Sequence, residues 1–291
     1  MRLAVAVEAA PAKLNLGLRV LGRRPDGFHE LDSLFVRLDL ADSVTLRPAS
    51  AAGGDAVTRA PAGDDWLDGR PLDTGGGNLV TRALVAYRRA AAARGVAVPP
   101  VAAGLVKRIP WGAGLAGGSA DAAATLRGAA KLWPAGVDLP ALGAELGSDV
   151  PFCLAGVPAA RVGGRGESVA EVDLPPLALV LVYPAVEVSA ASAFGWWAVE
   201  PVDVPPPAEA DLRAGRRPEP RNALEGPVAA RVPPVADALA ALRSLRLGPV
   251  AMSGSGSTCF LLASDAAAAQ AAARELRDRR PDWWVRAARS G

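Results

Sequence analysis

One histidine, two cysteines, two tyrosines and five phenylalanines are all that 291 residues carry of those types. The single histidine, His29, limits the chemistry at once, because a His-ligated metal site or a Ser/His/Asp triad must use it or not exist. Cys153 and Cys259 lie far apart in apolar strings and read as buried free thiols of a reducing compartment; one disulfide is the unsupported alternative. Long apolar runs are lacking too. None reaches the about 18 residues that a membrane span needs, and no charged-then-apolar leader opens the chain. The expectation is a cytoplasmic protein without a membrane partner. Blocks of one charge are also missing: the net charge is +2, and the arginines of Arg213–Arg221 and Arg274–Arg289 are interrupted by acids or prolines. These read as solvated faces, so no nucleic-acid partner is expected.

What is present is apolar material, 51% of the residues, enough for real cores and too much for a disordered chain. Apolar residues alternate over Arg2–Glu8 and Lys13–Leu21, predicting strands. In the second, Leu14, Leu16, Leu18 and Val20 share one face, and Lys13, Asn15, Gly17 and Arg19 share the other. The turn Pro25–Gly27 follows, and alternation returns over Leu34–Leu46. Pro48–Gly77, rich in Gly, Asp and Pro, reads as loops and an irregular hairpin. Helices are predicted over Asn78–Arg94 with Asn78 as N-cap, over Ser119–Trp133, and over Asp138–Leu146 with an Asp cap. Beyond Val157 come short strands at Ala159–Val162, Val169–Asp173 and Leu177–Tyr183, then a surface excursion over Pro201–Arg221. The remainder predicts helices at Pro234–Leu245 and Asp265–Arg280 and strands near Val250, at Thr258–Leu262 and at Trp283–Ala288. Strands and helices mix without strict βαβ repetition, so the class is α+β, divided into 1–157 and 158–291.

The segment Pro110, Trp111, Gly112, Ala113, Gly114, Leu115, Ala116, Gly117, Gly118, Ser119, Ala120 carries the clearest chemistry. Four glycines with small fillers let backbone N–H groups turn toward a ligand, and the helix that follows adds unpaired N–H groups and partial positive charge. A tight turn with Ser119 as N-cap is the plainer alternative. Gly112, Gly114 and Gly117 also spell a dinucleotide fingerprint, but a helix rather than a strand follows the helix. Gly112 to Gly117 has Walker spacing, yet Gly118 stands where that loop needs its lysine. The residues describe a phosphate binder of neither type.

This string, PWGAGLAGGSADAA, resembles the ATP-binding motif of the GHMP kinases. PAKLNLGLRVLGRRPDGFHEL (Pro11–Leu31) and MSGSGSTCF (Met252–Phe260) resemble that superfamily's two outer motifs, in the expected order. The pattern A-K-x-N-L, R-x-D-G-F-H and GSDVPF (Gly147–Phe152) is similar to the members that phosphorylate a cytidine diphosphate-linked methylerythritol. The resemblance implies a two-domain GHMP kinase architecture: a ribosomal protein S5 domain 2-like N-terminal domain and a ferredoxin-like C-terminal domain, with ATP and a small-molecule substrate meeting between them. Monomer or weak homodimer is the expected state. A homoserine- or mevalonate-type kinase is the nearest alternative; a nucleic-acid-binding module and a non-catalytic ATP sensor are remoter ones.

The same resemblance suggests roles. Lys13 supplies the positive charge that the missing Walker lysine does not; read alone, it is an exposed lysine. Asp149 receives the alcohol proton; read alone, it caps a helix or turn. Phe28 and His29 recognise cytosine, with Phe194 as a second stacking plate; read alone, they are equally a buried Phe and a surface His. Asn15 contacts the acceptor. Mg²⁺ bridges the phosphates, with Ser119 as its candidate ligand and Asp121 a weaker one. Relatives commonly carry a second serine where this chain has Ala120.

Overall fold

A computed structural model describes residues 4–50, 54–60, 72–73, 75–206, 214 and 219–291. Most of Pro201–Arg221, part of the Pro48–Gly77 loop region and the first residues of the opening strand lie outside these. Whereas the sequence divides once, after residue 157, compactness groups the chain into two discontinuous units. One has its described residues within Met1–Ala12, Ala41–Ile109 and Gly117–Gly156; the other lies within Lys13–Leu40, Pro110–Ala116 and Val157–Gly291.

Two long strands, β1 (Ala6–Arg23) and β2 (His29–Pro48), contribute to both units. The two stretches of alternation before the first turn thus form one strand. Pro11 does not interrupt it, since its fixed φ is compatible with extended backbone. The turn between the strands is built as its residues dictate: Gly27 sits at φ +85, and Asp26 Oδ1 accepts from Phe28 N at 3.1 Å.

In the first unit, β3 (Ala56–Arg59) lies parallel to β4 (Val101–Val106), and β4 is antiparallel to Ser43–Pro48 of β2. Four helices belong with these strands: α1 (Leu79–Ala92), α2 (Gly117–Leu132), α3 (Leu139–Leu146) and α4 (Val150–Ala155). Asn78 and Asp138 cap α1 and α3 as expected, accepting from Val80 N at 2.8 Å and Ala141 N at 3.1 Å. Leu46, Leu84, Leu105 and Leu126 fill the core, and Tyr87, fully buried, donates its hydroxyl to Trp133 O at 2.6 Å.

In the second unit, β5 (Ala159–Gly164) pairs with Leu31–Val36 of β2 and with β6 (Ser168–Glu171), while β8 (Arg221–Asn222) runs parallel to β1 at Gly17 and Leu18. A separate antiparallel sheet orders β11 (Trp284–Arg289), β7 (Ala178–Tyr183), β10 (Cys259–Ala263) and β9 (Val250–Met252). Between β7 and β9 the chain forms α5 (Ala190–Val199), α6 (Glu225–Ala229) and α7 (Pro233–Ser244); α8 (Ala266–Arg279) joins β10 to β11. The outer strand in sequence thus lies beside the first, and the middle two pair, which is the ferredoxin-like order. Val180, Val182, Leu239, Leu261 and Leu276 pack between this sheet and its helices. The α+β class is borne out. Among the described residues the two shortest helices, α4 and α6, lack the length over which a periodic pattern can be read.

Candidate active site

Lys13 departs most from its plain reading. The strand alternates, yet both faces are covered: Leu14, Leu16 and Leu18 are buried on one, and Lys13 and Asn15, 3% and 4% exposed, on the other. Burying an ammonium requires compensating acceptors. Lys13 Nζ donates to Asn15 Oδ1 at 2.7 Å and to Gly114 O at 3.2 Å, and it stands 4.8 Å from the Phe35 ring centroid. Asn15 is held in turn. Its Nδ2 donates to Ser33 Oγ at 2.9 Å, and its backbone N donates to Ser253 Oγ at 3.1 Å.

Three separated motifs therefore converge within the second unit. Lys13 N donates to Leu115 O at 3.1 Å, Ser253 Oγ to Gly114 O at 3.1 Å, and Thr258 N to Ala113 O at 3.0 Å. Asn222 fastens the late glycine loop from behind, its Nδ2 donating to Met252 O at 2.8 Å and Gly254 O at 2.7 Å. The fit explains two glycines. At Gly114, φ +76, a Cβ would stand 2.3 Å from Ser253 O; at Gly254, φ +57, one would stand 3.3 Å from Lys13 Nζ. Sequence reasoning passed over Ser33 and Asn222, for which no motif gives a signal.

The glycine-rich segment runs directly into α2, which starts at Gly117, two residues before the expected onset. The chain turns at Ala116, φ +57, and both following glycines adopt helical backbone, so Ser119 sits inside the first turn rather than at the N-cap. Gly118 is exposed and Ser119 half-buried, whereas Ala120 is wholly buried in the core. N–H groups of a first helical turn have no partner within the helix, and Gly118, which is exposed, adds no side chain of its own over them.

Under this turn lies a charge cluster that the sequence did not disclose. Lys107, 1% exposed at the end of β4, contacts Asp42 and donates to Asp121 Oδ2 at 2.6 Å. Asp42 Oδ1 also accepts from Arg108 N at 2.5 Å and Ile109 N at 2.9 Å. A Cβ on Gly117 would come within 3.3 Å of Lys107 Nζ, so the cluster sits directly against the start of α2. Burial pushes Asp121 up to about 7; the Asp42 charge adds to this and Lys107 opposes it. Burial alone would lower the Lys107 pKa, but the charges of Asp121 and Asp42 outweigh it and hold the ammonium above its ordinary value. Lys107 thus engages Oδ2 of Asp121, while Oδ1 of the same carboxyl is buried without a hydrogen-bond partner. The one sequence signal for the cluster is a lysine at the end of the apolar stretch Val101–Lys107, which by itself reads as a strand.

Asp149 stands half-buried at the N-cap position of α4, and its side chain makes no capping hydrogen bond. The plain reading of this aspartate as a helix cap therefore loses its basis.

Of the aromatic residues, Phe28 is 48% exposed with the Arg165 guanidinium 4.9 Å from its ring centroid. His29 and Phe194 stack on each other, with centroids 4.7 Å apart and planes 14° from parallel. The resemblance implied Phe28 and Phe194 as the stacking plates with His29 at the base edge; here Phe194 lies against the His29 ring itself. Burial, then the neighbouring Arg23 charge, lowers the His29 pKa, so the ring is neutral near pH 7.

The family model "GHMP kinases N terminal domain" matches residues 78–157, and "GHMP kinases C terminal" matches residues 208–282. The 4-diphosphocytidyl-2-C-methyl-D-erythritol kinase of Deinococcus radiodurans is 47% identical, with 96% of this chain and 91% of the relative aligned. The kinase of the same name from Sinorhizobium medicae is 40% identical, covering 97% and 94%. A crystal structure of 4-(cytidine 5'-diphospho)-2C-methyl-D-erythritol kinase, 38% identical, superposes with a TM-score of 0.79 over 98% of this chain and 99% of that one. Homoserine kinase from Cytophaga hutchinsonii, 18% identical, reaches 0.65 over 98% and 93%, which is a likeness of fold.

Proposed function

We propose that this chain, which belongs to the GHMP kinases and within them to the 4-diphosphocytidyl-2-C-methyl-D-erythritol kinases, transfers the γ-phosphoryl group of ATP to the 2-hydroxyl of 4-diphosphocytidyl-2-C-methyl-D-erythritol. The products are ADP and the 2-phosphate, a step of the non-mevalonate route to isoprenoids. The observation that carries this reading is the convergence of Lys13, Asn15, Gly114 and Ser253, residues of all three motifs, in one hydrogen-bonded knot.

Phosphoryl transfer needs a cradle for the nucleotide, charge beside the moving group and an acceptor for the alcohol proton. Residues Pro110 to Ala120 form the cradle, through main-chain N–H groups of the loop and the first turn of α2. Lys13 supplies the charge. Its burial between Asn15 and Gly114 fixes the ammonium, so little reorganisation is left to the reaction. Asp149 orients the hydroxyl and accepts its proton; because the transfer is loose, the proton leaves late and positioning outweighs basicity. Asn15 and the Phe28, His29 and Phe194 rings hold the acceptor, with neutral His29 offering the base edge a donor or an acceptor according to which ring nitrogen faces it.

Mg²⁺, when bound with the nucleotide, neutralises phosphate oxygens. An ion of this kind is carried mainly by phosphates and water and needs few protein oxygens; the Ser119 hydroxyl in the first turn of α2 is one, and Oδ1 of Asp121, buried without a hydrogen-bond partner, is a weaker candidate. Ser119 Oγ, in the first turn of α2, is the one protein ligand we assign.

A coupled ADP-release assay across cytidine diphosphate-linked methylerythritol, homoserine and mevalonate tests the reading. Turnover is expected with the first alone. Turnover only with an acceptor lacking cytidine would overturn it.

A further inference from the structure

The imidazole of His29 has a second aromatic neighbour. Phe194 and Trp197 stand three residues apart on α5, a spacing that puts two side chains on one helix face. Phe194 lies against the face of the imidazole, and the Trp197 ring meets it at right angles, with centroids 5.8 Å apart and planes at 90°. Trp197 is itself fixed, its Nε1–H donating to Val202 O at 3.2 Å. An imidazole on its own turns easily about χ2, a broad torsion with two shallow minima. Two contacts at right angles restrict that freedom: the stack sets the plane of the ring, and the perpendicular indole makes unequal the two χ2 orientations that share this plane, because they exchange ring nitrogen and C–H positions against it. Which nitrogen faces a ligand is then decided before the ligand arrives. The difference matters for a neutral imidazole, whose two nitrogens are unlike, one a donor and the other an acceptor.

We propose that Trp197 is a positioning residue for base recognition, holding the His29 ring in the orientation that distinguishes a cytosine edge from a uracil edge. This inference rests on the reading of His29 as the base-binding group. Cytosine and uracil share shape and stacking area and differ in which edge atoms donate and accept, so discrimination between them reports ring orientation and not mere packing. A buried polar mismatch on one hydrogen-bonded edge is strongly rejected.

The test uses Trp197→Ala and Trp197→Phe in the full chain. In Trp197→Ala the acceptor KM is expected to rise about tenfold while the KM for ATP stays put, and Trp197→Phe, which keeps an aromatic edge, restores most of the difference. The preference for cytidine 5'-monophosphate over uridine 5'-monophosphate as competitor should shrink in parallel in the alanine variant. His29 is the chain's only histidine, so its Cε1–H gives a single resonance of that type in a proton–carbon NMR spectrum, and the Trp197 indole N–H is identified by its loss in the variants. Cytidine 5'-monophosphate is expected to move both signals. If it moves neither, the base-site reading falls and this inference with it. If it moves His29 alone, or if Trp197→Ala leaves the acceptor KM and the His29 signal unchanged, the base-site reading stands and Trp197 loses its role. Should the alanine variant fail to fold, the two signals of the unmodified protein decide between these outcomes.

Discussion

Lys107→Met isolates what the buried cation contributes to the first unit. Methionine keeps an unbranched chain of similar reach, so packing is largely preserved and the charge is what disappears. Lys107, Asp42 and Asp121 are all out of solvent, and removing one partner of a buried ion pair costs about 3–5 kcal/mol because the remaining charge stays desolvated. Two carboxylates are left here. One of them escapes by protonation: Asp121 already titrates at about 7, raised by burial from an ordinary value of 3.8, and it rises further without Lys107. The sign of the pH effect follows. In the native enzyme the folded chain holds a proton on Asp121 that the unfolded chain has lost, between about pH 4 and about pH 7. The contribution of this group to stability therefore falls as pH rises through that window. In the variant the window extends above it. The expected loss is about 3–5 kcal/mol at about pH 8, on the order of 10 °C in Tm, and less at about pH 6. Urea unfolding followed by circular dichroism at both pH values, with the slopes compared, measures it. A loss under about 1 kcal/mol at both, or a greater loss at the lower pH, would refute the argument.

Three further outcomes are expected. Asp149→Asn lowers turnover by about a hundredfold or more and leaves the KM for ATP near its starting value, since the amide keeps the shape but cannot take a proton; turnover within about twofold would remove Asp149 from its role. Gly114→Ala forces a Cβ to within 2.3 Å of Ser253 O at φ +76, so it should cost about 1–3 kcal/mol in thermal unfolding and weaken ATP binding together. A variant as stable as its parent would show that the two glycine loops can part without penalty. His29→Ala should raise the acceptor KM about tenfold with the KM for ATP unchanged; an effect confined to ATP would sink the base-site reading.

The largest elements were legible because local physics and tertiary structure agree on them. Asn78, Asp138 and Asp265 mark helix starts as capping residues do, and each makes its capping bond. Gly112 to Gly118 declared a backbone built for close approach, and the alternation of Leu14 to Val20 declared a strand. Family resemblance supplied what composition could not, the order of the three motifs and their partnership. Alternation misled in one respect. It sorts faces into apolar and polar, and it assigns the polar face to solvent; Lys13 and Asn15 are polar and buried.

What is written in neighbouring residues was thus determined by the chain alone: helix caps, glycine turns, strands and a loop of small residues that leads into a helix. Tertiary structure alone decided which distant groups neutralise one another. Asp42, Lys107 and Asp121 come from a strand, a strand end and a helix, and no local pattern requires them to meet. The same holds for Asn222 behind Gly254 and for Trp197 against His29. The physical reason is common to all three. A buried polar or aromatic group is satisfied by whatever packing brings within a few ångströms, and that distance carries no fixed separation in sequence.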